Sequence, residues 1–187
     1  MNLTLERWYN IYPLNVEHYS MKNKKKDTAL SKKEETALTN VNYQRDRLFK
    51  KGINLMADEK LEEAVQNFEM ILRTDPNDVE ALLKLGYSRF HLDDHSQSMK
   101  VYDKVLDIDV TNPEAWNLKS LVHYEKKNYA KALDCAEKAI DSDPTFGMAW
   151  YNKACYLSML NQVPDSLESL KRSIEIDVKN ARKAVKD

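Results

Sequence analysis

The sequence predicts an all-α fold, a solenoid of four antiparallel helical hairpins. Small residues recur at intervals of 34 positions, at Gly52, Gly86, Ser120 and Ala154. A fixed period of tens of residues is typical of stacked supersecondary units. The chain has 187 residues with only three Gly and five Pro, which is the composition of a helix-rich protein. Within each half-unit, apolar residues follow at spacings of three and four, as in an amphipathic helix.

The period divides the chain into four units. They start at Arg45, Val79, Pro113 and Gly147, and give repeats 45–78, 79–112, 113–146 and 147–180. A second small position recurs in this register at Ala64, Ser98, Ala132 and Ser166. We therefore expect the two helices of each hairpin to approach closely at these two positions.

Helix ends follow the same register. Asp-Pro at 75–76 and at 143–144 disfavours α geometry before the proline and predicts the end of a helix. Asn112 and Pro113 supply a cap and a first-turn proline for the next helix. Within the hairpins, we expect turns near Asp58-Glu59 and Asp93-Asp94.

The repeats are predicted to occupy a domain over 34–187. Residues 34–44 are expected to extend the first helix backwards, and about 180–187 to form a short polar capping helix. Solenoids need such caps because each unit contacts only its neighbours. Residues 1–33 are assigned to an aromatic segment and a flexible Lys-rich linker.

The pattern resembles the tetratricopeptide repeat family, whose unit is 34 residues long. The first unit carries Leu48, Gly52, Leu55, Ala64, Phe68, Ile71 and Pro76, and the third carries Trp116, Ser120, Ala132, Ala139 and Pro144. Val110 and Val178 replace the closing Pro, and Ala136 stands where an aromatic is usual. The resemblance implies a right-handed α-solenoid that binds protein and has no catalytic machinery.

The resemblance also implies a concave groove lined by the first helix of each hairpin. The expected lining residues are Phe49, Ile53, Met56, Leu83, Tyr87, Phe90, His91, Asn117, Leu121, Tyr124, Met148, Tyr151, Cys155 and Met159. Aromatic and Met side chains offer adaptable apolar contacts, which suit an amphipathic helix or an apolar peptide. The alternative is that some of them, such as Tyr87 and Tyr124, are packing residues between repeats.

An acidic C-terminus is a poor candidate for the partner. Family members that bind chaperone C-termini use a clamp of Lys, Asn and Arg in this groove. The matching positions here are Phe49, Ile53, Lys84, Glu114 and Leu118, or after a shift of one unit Leu83, Tyr87, Leu118, Met148 and Asn152. Neither set supplies bidentate charged contacts to a pair of carboxylates.

The N-terminal segment has two interpretations. Leu5, Trp8, Tyr9, Ile11 and Tyr12 form a short amphipathic stretch before Pro13, followed by a Lys-rich linker. One hypothesis is that this stretch occupies the protein's own groove, or a neighbour's, until a partner displaces it. The other is that residues 1–20 precede a natural start at Met21, or are disordered.

Other function classes have little support. A net charge of −1 gives no basic surface for nucleic acid. Cys135 and Cys155 have neither disulfide nor metal spacing, and no His pair supplies a zinc site, so we expect no metal and no cofactor. Cys155 and His123 lack an orienting group and an oxyanion hole, so we expect no enzyme. With no secretory signal and no membrane span, a cytoplasmic location is expected.

Three functions stay open at this point. The first is an adaptor or scaffold that docks a protein partner in the groove. The second is a self-associating structural protein, hence a homo-oligomer, because an apolar groove or the end of a stack can mate with a copy of itself. The third is a module closed by its own N-terminal segment.

Overall fold

The structure is a computed structural model that describes residues 32–184, with side-chain surroundings for 39–178. The described residues form helices and no strand, which confirms the all-α solenoid. The helices are α1 (Lys32–Ala57), α2 (Leu61–Thr74), α3 (Val79–His91), α4 (His95–Ile108), α5 (Pro113–Glu125), α6 (Tyr129–Ser142), α7 (Gly147–Met159) and α8 (Val163–Ala184). Residues from Val41 onward form one compact unit. The predictions for residues 1–31 lie outside the described residues.

Each hairpin pairs an A helix (α1, α3, α5 or α7) with the B helix that follows it. The A helices α3, α5 and α7 begin at Val79, Pro113 and Gly147, where the sequence starts its second, third and fourth units. The first A helix begins at Lys32, two residues before the predicted extension. Within the described residues no helix is both long and apolar enough to cross a bilayer.

The turn inside each hairpin is the same in all four units. Glu59, Asp93, Lys127 and Asn161 lie 34 residues apart and adopt positive φ of 56° to 60°. Each follows a helix end with a Schellman pattern: in the second unit, Asp94 N–H donates to Arg89 O at 2.9 Å and Asp93 N–H to Phe90 O at 3.1 Å. This left-handed residue reverses the chain without any glycine.

The connections between hairpins also repeat. Asp75, Asp109 and Asp143 each accept a hydrogen bond from the backbone N–H two residues later, at 2.8 to 3.0 Å. The next helix is then capped by Asp78, which accepts from Ala81 N–H at 2.9 Å, or by Asn112, which accepts from Ala115 N–H at 2.9 Å. The recurrent Asp therefore closes one hairpin and leads into the next.

The fourth unit departs from this pattern. The separate capping helix predicted at about 180–187 is not observed, because α8 runs unbroken from Val163 to Ala184. The sequence signal was misleading, since Asp177 continues the series of acids. No Pro follows it, whereas Pro76 and Pro144 directly follow earlier acids. Pro113, four residues after Asp109, is the first residue of α5, and a proline in the interior of a continuous helix would break it.

The small positions allow the two helices of a hairpin to touch. A Cβ added to Gly52 would lie 2.7 Å from the Phe68 ring, and one added to Gly86 would overlap the Tyr102 ring. Phe68 and Tyr102 are both fully buried. In the first two units, the aromatic ring of the B helix thus lies directly over the glycine of the A helix.

The third unit solves the same packing problem differently. Ala136 replaces the aromatic ring and Ser120 replaces the glycine. Tyr156, from the A helix of the next unit, packs with Ala132 and Ala136, and its hydroxyl lies 2.9 Å from the Ser120 hydroxyl. The departure from the family pattern at Ala136 is therefore compensated by a neighbouring repeat.

Candidate partner-binding groove

The predicted groove residues lie on the A helices. In the compact unit, α3 contacts α5 and α5 contacts α7, so these A helices are neighbours along one face of the stack. We number positions within each unit from its first residue, so that Arg45, Val79, Pro113 and Gly147 are position 1. Positions 5, 9 and 12 supply most of the predicted lining residues. Such side chains share one face because residues three and four apart are neighbours on a helix surface.

Three of the fourteen predicted residues are buried. Ile53 is 9% exposed and Leu83 is 5% exposed, and each packs into the core between repeats. Asn117 is 2% exposed, and its Oδ1 accepts a hydrogen bond from Asn152 Nδ2 at 2.8 Å. The groove prediction is wrong for these three residues, because a partner cannot contact them without opening the stack.

The other eleven predicted residues retain exposed surface. His91 and Met159 are exposed, and the remainder are half-buried: Phe49, Met56, Tyr87, Phe90, Leu121, Tyr124, Met148, Tyr151 and Cys155. Each half-buried side chain therefore packs on the protein and keeps part of its surface accessible. We call these eleven residues the groove set.

The second unit carries a cluster of four rings. The Tyr87 and His91 centroids are 4.3 Å apart, those of Phe90 and His91 5.2 Å, and those of Phe90 and His95 5.3 Å. His95, four residues after His91, was not among the predicted groove residues. Pairs of this kind contribute beyond their buried area.

Desolvation by the surrounding protein shifts the pKa of two rings in this cluster. It lowers the pKa of His91, against the opposing effect of the nearby Asp93 carboxylate, so the imidazole is neutral at pH 7. Burial also raises the pKa of Tyr87 to about 12. Tyr87, Phe90 and His91 thus present aromatic surface without formal charge at pH 7.

Tyr124 links the third unit to the fourth. Its ring centroid lies 5.5 Å from that of Tyr156 and 5.6 Å from that of Tyr129. Cys155 packs beside this group, and burial raises the pKa of its thiol. A thiol that stays protonated is a poor nucleophile, so Cys155 is suited to packing or contact rather than to covalent chemistry.

Two cations on the A helices pair with carboxylates at the start of the next A helix. Arg45 donates to the Asp78 carboxylate at 2.8 and 3.1 Å and to Glu80 at 2.7 Å. Burial alone would lower the pKa of Arg45, but these hydrogen bonds outweigh it and raise the value above the ordinary one. Lys84 is the cation among the positions that match the chaperone-binding clamp of the family, and it donates to Glu114 at 3.0 Å. An acidic peptide would have to compete with Glu114 for it.

A separate cleft of about 520 Å³ lies between α7 and α8, outside the groove set. Its lining residues are Trp150, Lys153, Asp165, Glu168, Ser169, Lys171, Arg172 and Glu175. Three cations and three carboxylates share it, so it favours neither anions nor cations. In the described part of the chain, no group of three or more His, Cys, Asp or Glu side chains is placed to hold a metal ion.

Three stretches of the chain match family models described as tetratricopeptide repeat, at residues 55–122, 113–146 and 135–168. The chain belongs to the tetratricopeptide repeat family. The middle match has the same bounds as the third unit defined by the sequence period. As a member of this family, the chain is a protein–protein interaction module, a class that is generally non-catalytic.

Solved tetratricopeptide repeat structures share the fold. A crystal structure of MamA superposes with a TM-score of 0.64 at 19% identity, covering 79% of this chain and 86% of that one. MamA from Desulfovibrio magneticus RS-1 gives 0.62 at 18% identity, over 72% of this chain and 76% of that one. TTC0263, a tetratricopeptide repeat protein of Thermus thermophilus, gives 0.65 at 17% identity, over 71% and 74%. No curated protein sequence matches the chain.

Proposed function

We propose that the protein is an adaptor that binds an amphipathic helix or an apolar peptide segment through the groove set. The observation that carries the proposal is the ring cluster of Tyr87, Phe90, His91 and His95, in which the centroids of contacting rings lie 4.3 to 5.3 Å apart. Partly exposed aromatic rings are rigid and supply apolar contact at little entropic cost. An amphipathic helix places its own apolar side chains in such a groove at spacings of three and four.

Electrostatics favour an apolar partner over an acidic one. A carboxylate terminus needs several convergent cations, but Lys84 is engaged by Glu114 and Arg45 by Asp78 and Glu80. Removing either cation from its partner would leave a partly buried carboxylate unpaired. The groove therefore supports apolar recognition.

Affinity capture tests this proposal. A variant carrying Tyr87→Ala, Tyr124→Ala and Tyr151→Ala removes three rings of the groove set, and we expect it to lose partners that the unchanged chain retains. Hot-spot aromatics cost at least ~2 kcal/mol each when truncated, a loss of more than about thirtyfold. The far-ultraviolet circular dichroism should keep its helical signal.

A matched control removes three exposed apolar side chains outside the groove set, with Met70→Ala, Ile108→Ala and Val110→Ala. These residues are 49%, 42% and 67% exposed. The control should capture the same partners as the unchanged chain. Equal capture by all three proteins would reject the groove as the binding surface.

Self-association is the competing function. If the groove or an end of the stack mates with a second copy, light scattering at micromolar concentration should show a dimer or a larger species. A monomer under those conditions leaves binding of a different protein as the main use. The third alternative, closure by the N-terminal segment, predicts that Trp8→Ala in the full chain increases partner capture.

A further inference from the structure

The last described helix presents an apolar stripe to solvent. Its members are Val163 (55% exposed), Leu167 (62%), Leu170 (36%), Ile174 (55%) and Val178 (44%). Their spacings of four, three, four and four place them on one face of α8. The opposite contact of α8, with α7, uses a different set that includes the buried Ser169, Ser173 and Ile176.

The stripe corresponds to the stacking face of the earlier units. Its equivalents in the third unit include Leu133, Ala136 and Ile140, which pack against the A helix of the fourth unit. In the second unit Tyr102 and Leu106 pack against α5 in the same way. The α8 stripe is therefore shaped to receive one more A helix.

Charge at the stacking interfaces also repeats. In each of the first three units an acid at position 25 pairs with a base on the next A helix. The pairs are Glu69 with Arg89 at 2.6 Å, Asp103 with Lys119 at 2.5 Å, and Glu137 with Lys153 at 2.9 Å. On α8 this position is occupied by Lys171, so the sign is reversed.

The reversed charge disfavours a second copy as the occupant of the stripe. In a head-to-tail contact, Lys171 would face Lys51, which holds position 7 of α1, the position of Lys119 and Lys153. In a two-fold contact centred on the stripe, the two copies of Lys171 would lie side by side, since the stripe's midpoint falls next to that residue. Like charges at either contact oppose association.

The outer face of α1 is also unsuited to stacking on α8. Position 3 is a fully buried Ala in the other units, at Ala81, Ala115 and Ala149, but is the exposed Arg47 in the first. Position 10 is buried in the other units and is the exposed Asn54 in the first. A stack that is polar at α1 and apolar at α8 does not polymerise through these two faces.

We infer that the α8 stripe is a second docking surface, which receives an amphipathic helix of another protein carrying an acidic residue opposite Lys171. That helix would stack as an additional A helix, with its apolar face on Leu167, Leu170 and Ile174. Its carboxylate would form an ion pair with Lys171, so that the base lies on the B helix and the acid on the added A helix, the reverse of the earlier units. This surface is distinct from the groove set and requires no ligand there.

A charge-swap experiment tests the inference with defined peptides. The probe is a fluorescein-labelled peptide of residues 112–126, which is an A helix of this protein, together with its Lys119→Glu form. We expect fluorescence anisotropy to show the Glu peptide binding the full chain roughly fivefold more tightly than the Lys peptide. With Lys171→Glu in the protein, the order of the two peptides should reverse.

Arg172→Glu is the matched control, because it makes the same charge change one residue away, where the side chain is 51% exposed and pairs with Glu175. It should leave the preference for the Glu peptide unchanged. Leu167→Asp should abolish binding of both peptides, while the groove variant Tyr87→Ala, Tyr124→Ala, Tyr151→Ala should keep it. This last result separates failure of the α8 surface from failure of the groove proposal.

Four results would overturn the inference. The first is that neither peptide binds, and the second is that the Lys171→Glu protein still prefers the Glu peptide. The third is a dimer in light scattering that becomes a monomer with Leu167→Asp. The fourth is peptide binding that increases when Trp8→Ala is introduced in the full chain. The dimer would assign the stripe to a second copy, and the effect of Trp8→Ala would assign it to the N-terminal segment.

Discussion

The Ser120 hydroxyl belongs to the contact by which Tyr156 compensates for the missing aromatic ring at Ala136. It lies 2.6 Å from Asn117 O and 2.9 Å from the Tyr156 hydroxyl. A serine has one proton to donate, and the carbonyl can only accept, so Tyr156 is the donor to Ser120. Tyr156 is 1% exposed, which makes this hydrogen bond one of the few polar contacts inside the stack.

Removing the Tyr156 hydroxyl should weaken the contact between the third and fourth units. We expect Tyr156→Phe to lower the free energy of unfolding by about 1 kcal/mol, the net contribution of a typical buried hydrogen bond. Urea denaturation followed by circular dichroism measures this change. Tyr129→Phe makes the same chemical change where the side chain's described contact is its ring against Tyr124, and should shift stability by less than ~0.5 kcal/mol. Equal effects of the two substitutions would contradict the assignment.

For single residues, the sequence predicted the place of a residue within the repeat more accurately than its solvent exposure. Asn117 occupies a position that other units fill with the half-buried Phe49 and Tyr151, so periodicity placed it in the groove. In the structure it is buried and accepts a hydrogen bond from Asn152, which lies 35 residues later in the neighbouring repeat. A contact between side chains of two repeats has no signal in the pattern of a single unit, and the same holds for Ile53 and Leu83.

At the element scale, the hairpin turns place ordinary residues in the left-handed region. Lys127 adopts φ of 56° and Asn161 adopts φ of 60°. For most residues this conformation costs roughly 1–2 kcal/mol, whereas Asn and Gly adopt it more readily. The four turns thus hold a conformational cost that the sequence does not reduce with glycine.

Glycine at the Lys127 turn should stabilise the protein. We expect Lys127→Gly to raise the free energy of unfolding by about 0.5–1 kcal/mol, since the relief of left-handed strain exceeds the entropy that glycine adds to the unfolded chain. Asn161→Gly should give a smaller gain, because Asn already tolerates positive φ. Thermal and urea unfolding check both variants. A loss of stability in Lys127→Gly would show that its side chain contributes contacts beyond the turn.

The ends of the helices were predictable from the sequence where a local residue pair stops the helix, and were not predictable elsewhere. Asp-Pro steps end helices because the proline disfavours the α conformation of the residue before it, and Asn112-Pro113 begins a helix. The structure has connections at those places. The series of acids alone does not stop a helix, as the uninterrupted course of α8 through Asp177 shows. A helix ended at the recurrent Asp only where a proline lies within the four residues after it.

At the scale of the whole molecule, stability and binding use the same stack. One core joins α3, α4 and α5 through Leu82, Tyr102, Val105 and Leu118, so neighbouring hairpins are not independent. This continuity aligns the A helices and brings groove residues from different units onto one face. In a solenoid each repeat is stabilised by its neighbours, so the proposed binding surface forms only in the assembled stack.

The central claim is that a protein partner lies against the rings of the second unit, and site-specific photo-crosslinking tests it most directly. Benzoylphenylalanine would replace Tyr87 in one protein and the 67% exposed Val110 in a control. The account predicts that illumination of a partner-bound sample gives a covalent adduct from position 87 and none from position 110. An adduct from position 110 alone, with position 87 unreacted, would contradict it.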